Sequence, residues 1–362
     1  MSNSSILTPH SSRVILIMAG GTGGHIFPAL AVAEQLRARG WRVVWLGHPN
    51  GMEARLVPER GFELQPIEFT ALRGKGWGRK LMLPAHLWRG CRQARKVLRD
   101  VHPDVVLGMG GYISFPGGLA AVLRGIPLVI HEQNSVAGLA NRVLAKLSRR
   151  VLSGFPEVLK KAQWVGNPVR PEISALPAPE QRFVGREGPL HLLVLGGSLG
   201  AQALNTVVPK GLALLGTEER PMVVHQAGEA HLEQLKANYA EAGVEAHCVA
   251  FIEDMAGAYG WADLVLCRAG ALTVAELAAA GIASILVPYP HAVDNHQCFN
   301  ARFLFDIGAA FKLPQSQLTP ESVALVRNYS RGQLLQMAEK ARSVARPEAA
   351  SEVANICEAL VS

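Results

Sequence analysis

At 362 residues the chain exceeds what a single hydrophobic core usually organises, so two domains of roughly 150 to 200 residues are expected. With 49% hydrophobic and 18% charged residues, 36 Gly and 22 Pro, the composition is globular α/β and excludes both a disordered chain and a small disulfide scaffold. The net charge of +7, from 36 Lys and Arg against 29 Asp and Glu, favours anionic partners: nucleic acid, phosphorylated small molecules or an acidic membrane surface.

Short apolar runs alternate with amphipathic helical stretches along the whole length, as parallel strands joined by crossover helices require. The first half predicts strands over 14–19, 43–46, 105–109, 128–131 and 151–154, with helices over 28–39 and 137–147. Pro28 suits the first turn of its helix. The repeat is interrupted over 166–189, where Pro168, Pro171, Pro177, Pro179 and Pro189 read as a linker and an irregular lead-in. It restarts with strands over 191–195, 222–225, 247–251, 264–267 and 285–288, which makes two doubly wound sheets. The first strand of each half runs into a glycine turn, VILIMAGGTGGH in one and HLLVLGGSLGA in the other.

Five cysteines (Cys91, Cys248, Cys267, Cys298, Cys357) stand far apart with no C-x-x-C pair, so neither a disulfide framework nor a zinc site is expected. The start of the chain lacks a basic segment followed by a long apolar run, and no stretch approaches the roughly 18 to 20 apolar residues of a membrane span. Export is not expected, and any membrane contact is peripheral.

The turn Gly20 to Gly24 places backbone N–H groups and a helix dipole where an anion or a sugar ring can approach closely. A tight βα turn without a ligand has the same sequence. The dinucleotide fingerprint is not met: phased on Gly21 and Gly23 it needs glycine at position 26, which is Ile26, and the second strand ends WLGH without a ribose-binding acid. No P-loop motif occurs. His25 follows the glycine turn at the carboxyl edge of the sheet, where an imidazole can take a proton from a hydroxyl; a helix N-cap histidine is the plainer reading.

Gly196, Gly197 and Ser198 form the second turn, with Ser198 able to donate to a phosphate oxygen or simply to cap a helix. In CRAGALTVAELAAAG, small residues leave a helix start open to a diphosphate, and Glu276, one turn in, could accept two ribose hydroxyls. Thr273 and Glu276 also have the spacing of a capping box. A polar cluster of His291, Asp294, Asn295, His296 and Gln297 suits sugar hydroxyls or a solvated loop. No H-E-x-x-H or D-x-D occurs, so no metal is expected and the leaving diphosphate would rely on helix dipoles and amides. From Phe69 to Arg99 there is no acidic side chain, while Arg73, Lys75, Arg79, Lys80, Arg89, Arg92, Arg95, Lys96 and Arg99 interleave with Trp77, Leu81, Met82, Leu83, Leu87 and Trp88. The large clustered apolar groups favour an anionic membrane surface over RNA.

Taken together, MAGGTGGHIFPALAVAEQL, GMGGYISFPGGLAA, IHEQNSVAGLANR, GNPVR, LGGSLGAQALN, CRAGALTVAELAAAG and DNHQ, in order from residue 18 to 297, resemble the MurG family of bacterial peptidoglycan glycosyltransferases. The resemblance implies an α/β GT-B fold, two Rossmann-like doubly wound domains separated by a cleft. It implies a first domain over 1–167 rejoined by a final helix over about 342–362, and a donor-binding domain over 168–341. The implied reaction is inverting transfer of N-acetylglucosamine from UDP-N-acetylglucosamine to the 4-hydroxyl of a lipid-linked N-acetylmuramyl-pentapeptide, on the cytoplasmic face of the inner membrane and without a cofactor.

The resemblance puts donor contacts on Thr22, Gly23, Gly24, Asn134, Arg170, Ser198, Ile252, Ala271, Leu272, Thr273, Val274, Ala275, Glu276 and Gln297. Uracil falls at backbone near Ile252, ribose on Glu276, and sugar hydroxyls on Asn134 and Gln297. His25 is the expected base. Gly111 and Tyr112, in the 110–118 segment GGYISFPGG, are expected at the acceptor pyrophosphate, and Trp77, Arg79, Lys80, Leu81 and Trp88 at the membrane. The segment PHAVDNHQ departs from the usual family form in its length and in His296, where glutamine is common. Cell-wall synthesis proteins are implied partners and nucleic acid is not; another UDP-N-acetylglucosamine enzyme of the same fold, such as a 2-epimerase or glycolipid transferase, and a non-catalytic nucleotide-sugar sensor are the alternatives.

Overall fold

The computed structural model describes residues 13–69, 83–197 and 200–361, which divide into two compact units. The first comprises the chain up to His131, Gly138–Leu152 and Ser351 onward; the second comprises Glu132–Ala137 and Ser153–Ala350.

In the first unit the chain runs β1 (Val14–Met18), α1 (Gly23–Ala38), β2 (Arg42–Gly47), α2 (Glu53–Glu59), β3 (Glu63–Pro66), α3 (Leu83–Val101), β4 (Val105–Gly108), α4 (Ser114–Leu123), β5 (Leu128–Glu132), α5 (Leu139–Leu144) and β6 (Arg150–Ser153). The strands lie in the order β3-β2-β1-β4-β5-β6. Pairing is parallel, with Leu16 of β1 opposite Val44 on one side and Val106 on the other. Central strands of such a sheet are covered on both faces, which is why they read as unbroken apolar runs: Ile15, Leu16, Ile17 and Met18 are fully buried.

After the two-residue strand β7 (Gln163–Trp164), the second unit contains α6 (Pro171–Ser174), α7 (Pro179–Phe183), β8 (His191–Leu195), α8 (Gln202–Ala213), β9 (Met222–Gln226), α9 (Leu232–Ala242), β10 (His247–Val249), α10 (Met255–Trp261), β11 (Leu264–Cys267), α11 (Ala271–Ala280), β12 (Ala283–Leu286), α12 (His296–Phe305), β13 (Ala310–Lys312), α13 (Pro320–Ala324) and α14 (Arg331–Ser343). Its strand order, β10-β9-β8-β11-β12-β13, repeats the topology of the first sheet. In each sheet the order reverses beside the first strand, between β1 and β4 and between β8 and β11. Ligands of open α/β sheets bind outside the carboxyl ends of the strands at this switch point.

Several local expectations need correction. Helix α1 begins at Gly23, so Pro28 is its sixth residue and not a first-turn proline. Thr22, extended at φ −136° and ψ 157°, is the residue that starts it. The helix expected over 137–147 contracts to Leu139–Leu144, and β10 stops two residues short of Phe251. β12 lies two residues earlier than its apolar run suggested. The edge strands β3 and β13 have no apolar run of their own; pairing with β2 and β12 supplies the order that side-chain burial does not. The proline-rich 166–189 segment is folded rather than open: Ile173 is buried and Arg182 and Arg186 bond to main-chain carbonyls of the second unit.

The last helix, α15 (Ala349–Glu358), supplies the first unit with an anchor. Arg39 donates to Asn355 Oδ1 and Glu358 Oε2, both at 2.7 Å, and the Trp41 indole donates to Glu358 Oε1 at 2.9 Å.

Candidate active site

In the second unit, β11 delivers the chain through Arg268, Ala269 and Gly270 into α11, whose start is capped by no side chain. Gly270 is the N-cap, which makes Thr273 the third helical residue and removes the capping-box reading of Thr273 and Glu276. The first-turn residues Ala271, Leu272 and Thr273 leave main-chain N–H groups at this end without an intrahelical acceptor, the arrangement that suits a diphosphate.

Glu276 sits one turn deeper and is 6% exposed. Its Oε1 accepts from Arg170 at 3.0 Å and its Oε2 from the Tyr259 hydroxyl at 3.1 Å. Burial pushes its carboxyl pKa up, and the Arg170 guanidinium opposes that shift. Two carboxylate oxygens carry about four acceptor sites, so this pair of donors leaves capacity for vicinal hydroxyls. Val274 and Ala275 continue the helix beneath, with Val274 in the apolar core. Ile252, in the loop after β10, packs against that same core, and Asp254 fixes the loop's exit by accepting from the Gly257 N–H at 2.8 Å.

Asn134 belongs to this unit as well. Its N–H donates to Glu132 Oε1 at 3.0 Å, and its Oδ1 accepts from Asn300 at 3.4 Å. Asn300 was not singled out from the sequence, yet it is fully buried and joins three segments. Its Oδ1 accepts from the Ser135 N–H and hydroxyl at 2.9 and 2.7 Å, and its Nδ2 donates to Ala269 O at 3.2 Å. One turn earlier on α12, Gln297 Oε1 accepts from the Tyr289 N–H at 2.9 Å. Positions three apart share a helix face, so Gln297 and Asn300 tie the polar loop to the α11 start. An asparagine inside DNHQCFN carries no sequence signal for this role; only packing reveals it.

The second glycine turn follows β8. Gly197 and Gly200 both have positive φ, and a Cβ on Gly200 would lie 2.2 Å from Ala227 O. Ser198 lies outside the described residues. Beneath the turn, the buried His225 ring joins the Tyr239 hydroxyl at 2.9 Å and Asn205 Oδ1 at 3.1 Å, while Asn205 Nδ2 donates to Ala227 O. Burial holds the His225 imidazole neutral, its pKa pushed down to about 3.

In the first unit, Thr22, Gly23, Gly24 and His25 form the β1–α1 junction, with His25 half-buried as the third helical residue and its N–H donating to Thr22 O at 3.0 Å. That position replaces the N-cap reading of His25. Beside it runs the β4–α4 junction. Helix α4 starts at Ser114, so only the first part of the expected 110–118 turn is non-helical. Gly111 has φ +79° and its Cβ would meet Gly20 O at 2.3 Å, so any side chain introduced there collides with the neighbouring turn before its charge can matter. Tyr112 packs on Gly21. Ser114 Oγ lies 2.7 Å from Gly110 O and 3.1 Å from Met18 O, stapling the two junctions together.

Of the expected membrane residues, Trp77, Arg79, Lys80 and Leu81 lie outside the described residues. Trp88 is 65% exposed on α3, with the Arg92 guanidinium 5.5 Å from its ring centre. Arg89, Arg95, Lys96 and Arg99 are exposed on the same helix, while Ala94, Val97, Leu98 and Val101 pack into the core. No helix among the described residues is long and apolar enough to cross a membrane, and none of their His, Cys, Asp and Glu side chains cluster as a metal site would need.

Comparison with known proteins adds to this geometry. Residues 15–153 match the glycosyltransferase family 28 N-terminal domain and residues 191–357 the glycosyltransferase family 28 C-terminal domain. The chain is 68% identical, over 96% of its length and 98% of the relative's, to the UDP-N-acetylglucosamine–N-acetylmuramyl-(pentapeptide) pyrophosphoryl-undecaprenol N-acetylglucosamine transferase of Dechloromonas aromatica. It is 63% identical to the protein of that name from Aromatoleum aromaticum, over 97% of this chain and 98% of the relative. The crystal structure of MurG from Acinetobacter baumannii superposes with a TM-score of 0.84 at 42% identity, covering 96% of this chain and 99% of that one. The two parallel sheets are those of a GT-B enzyme, and the chain belongs to the MurG family within glycosyltransferase family 28.

Proposed function

We propose that this protein transfers N-acetylglucosamine from UDP-N-acetylglucosamine to the 4-hydroxyl of the lipid-linked N-acetylmuramyl-pentapeptide in peptidoglycan synthesis. The observation that carries the reading is the 68% identity across 96% of the chain to a transferase so named. The site chemistry agrees with it: an uncapped helix start for the diphosphate, and a buried carboxylate one turn below for the ribose.

The donor lies in the second unit. Glu276 accepts the ribose hydroxyls, main chain near Ile252 meets the uracil, and the Ala271–Ala275 turn with Ser198 and Arg170 receives the diphosphate. Asn134 and Gln297 face the sugar hydroxyls. Thr22, Gly23 and Gly24 of the first unit complete the donor contacts, and His25 is the base. The acceptor oxygen attacks the anomeric carbon from the face opposite UDP. Its proton passes to the His25 imidazole, and UDP departs with the electron pair of the broken C–O bond, so an α linkage becomes β in one displacement. No covalent enzyme intermediate is required. Gly111 and Tyr112 border the acceptor pyrophosphate. The basic, tryptophan-bearing face of α3, together with Trp77, Arg79, Lys80 and Leu81, holds the protein on the anionic cytoplasmic leaflet, where each added cation contributes about 1 kcal/mol. That placement serves cell-wall growth during elongation and division.

The deciding experiment is transfer of radiolabelled sugar from UDP-N-acetylglucosamine to a short-chain analogue of the lipid-linked acceptor, with chelator present. Acceptor-dependent β-linked product supports the reading. UDP release or epimerised sugar without acceptor indicates a different enzyme, and donor binding without turnover indicates a sensor.

A further inference from the structure

Three buried carboxylates among the described residues, Glu53, Glu132 and Asp263, take no part in that mechanism, and the first of them reaches the glycine turn that carries His25. Glu53, the first residue of α2, is fully buried beside the switch point of the first sheet. Its Oε2 accepts from the N–H of Gly21, in the glycine turn, at 3.3 Å. Its Oε1 accepts from the N–H of His48, in the β2–α2 loop, at 2.9 Å. The surrounding chain is shaped to admit this carboxylate. A Cβ placed on Gly20 would lie 2.5 Å from Oε1, one on Gly51 2.4 Å from Oε2, and one on Gly47 2.7 Å from Cγ. Three glycines, one in each of the two loops and one at the end of β2, therefore converge on one side chain. The ring of Tyr112 closes the group, resting against Gly21 and meeting the His48 ring edge-on at a 6.5 Å centroid distance. A buried anion is costly unless its acceptor sites are filled, so the two loops and the carboxylate hold one another in place. The start of α1 adds to this, because its dipole favours a negative charge at that end.

We infer that Glu53 is a positioning residue: its carboxylate ties the β2–α2 loop to the Gly20–Gly24 turn and so sets the approach of His25 to the acceptor hydroxyl. The inference rests on the reading of His25 as the base. Proton transfer demands hydrogen-bond geometry, and a displacement of about 1 Å can cost roughly 10²-fold. Replacing the carboxylate by an amide leaves one oxygen for His48 but sets an NH₂ group against the Gly21 N–H, which loosens the turn without emptying the space.

The test compares Glu53→Gln, Glu53→Ala, Gly51→Ala and the Gly51→Ala/Glu53→Ala double variant with wild type and His25→Ala, measuring kcat, UDP-N-acetylglucosamine affinity and thermal unfolding. Glu53→Gln is expected to lower kcat by roughly 10- to 100-fold, while donor affinity, for which the proposed contacts lie mostly in the second unit, falls far less, by no more than about threefold. Gly51→Ala should lower kcat similarly, because its methyl displaces the carboxylate, and in the Glu53→Ala background it should add no further loss. Unchanged kcat in Glu53→Gln, equal losses in kcat and donor affinity, or additive losses in the double variant would overturn the inference. Should Glu53→Ala fail to fold, the split between kcat and donor affinity in Glu53→Gln still decides. His25→Ala separates the two ideas: full turnover there removes the base reading itself, whereas a loss there with none in Glu53→Gln removes only the role of Glu53.

Discussion

Tyr259 is completely buried, and its hydroxyl has one use in the second unit: it holds Glu276 Oε2. Burial, followed by the Glu276 charge, keeps its pKa well above the usual phenol value, so it donates at all working pH values. Tyr259→Phe should therefore raise the donor KM roughly five-fold with kcat little changed, the effect of one lost hydrogen bond on a ground-state contact. Steady-state kinetics with varied UDP-N-acetylglucosamine check this. His225 supplies a pH-dependent test. Its folded pKa of about 3 lies below the unfolded value of 6.5, so the unfolded chain binds a proton that the folded one excludes. Stability from this group is complete above the unfolded value and is lost as pH falls through the window toward the folded one, at about 1.4 kcal/mol per pH unit. In urea unfolding followed from about pH 7 to about pH 4, His225→Gln should lack that slope relative to wild type. Glu276 itself was legible in the sequence as an acid one turn into an open helix. Its partners were not, because Arg170 lies 106 positions away and Tyr259 occupies an apolar-looking helix.

At the scale of elements, α11 is open at one end and closed at the other. Arg182 Nη2 donates to Ala280 O at 2.6 Å and also to Gly281 O, and Nη1 donates to Tyr259 O at 3.2 Å. A cation at the carbonyl end complements the helix dipole just as an anionic diphosphate would at the other. Burial and the neighbouring Arg186 and Arg342 lower the Arg182 pKa to about 10, which leaves it charged at neutral pH. Arg182→Ala, which strips buried carbonyls of their donor, should cost about 2 to 3 kcal/mol in chemical unfolding. The strands at the centre of both sheets were readable because each apolar run is covered on both faces. The edge strands β3 and β13 and the start of α1 were not, since neighbour pairing and the Thr22 backbone decide them more than composition does. In α3 the basic run was legible but the buried stripe was not: the fold packs Leu87, read as a membrane anchor, against the core beside Ala94, Val97 and Leu98. Changing Trp88 to Ser and Arg92 to Glu together should lower cosedimentation with vesicles of anionic phospholipid several-fold, and added salt should weaken wild-type binding in the same assay.

For the whole molecule, the chain makes two sheets of one topology and then returns its last residues to the first unit. The half-buried pair of Arg39 and Glu358, joined at 2.7 Å and backed by the Trp41 indole, is formed by residues 319 positions apart. Calorimetry should show Glu358→Ala lowering the first unit's transition by about 1 kcal/mol, while UDP at roughly 100 times its Kd raises the second unit's by about 2.7 kcal/mol.

Amino-acid order alone determined the α/β alternation, the two glycine turns, the small-residue start of α11 and the family, because each is written in contiguous residues or in their spacing. Tertiary structure decided which groups those turns rest upon. Asn300 beneath Asn134, Tyr259 and Arg170 on Glu276, and the Glu53 carboxylate among Gly20, Gly47 and Gly51 all depend on parallel strands placing distant loops side by side at a switch point. Hydrogen bonds that close such long loops leave no local pattern in the sequence, since the entropy of bringing their ends together is overcome by the packed sheet as a whole.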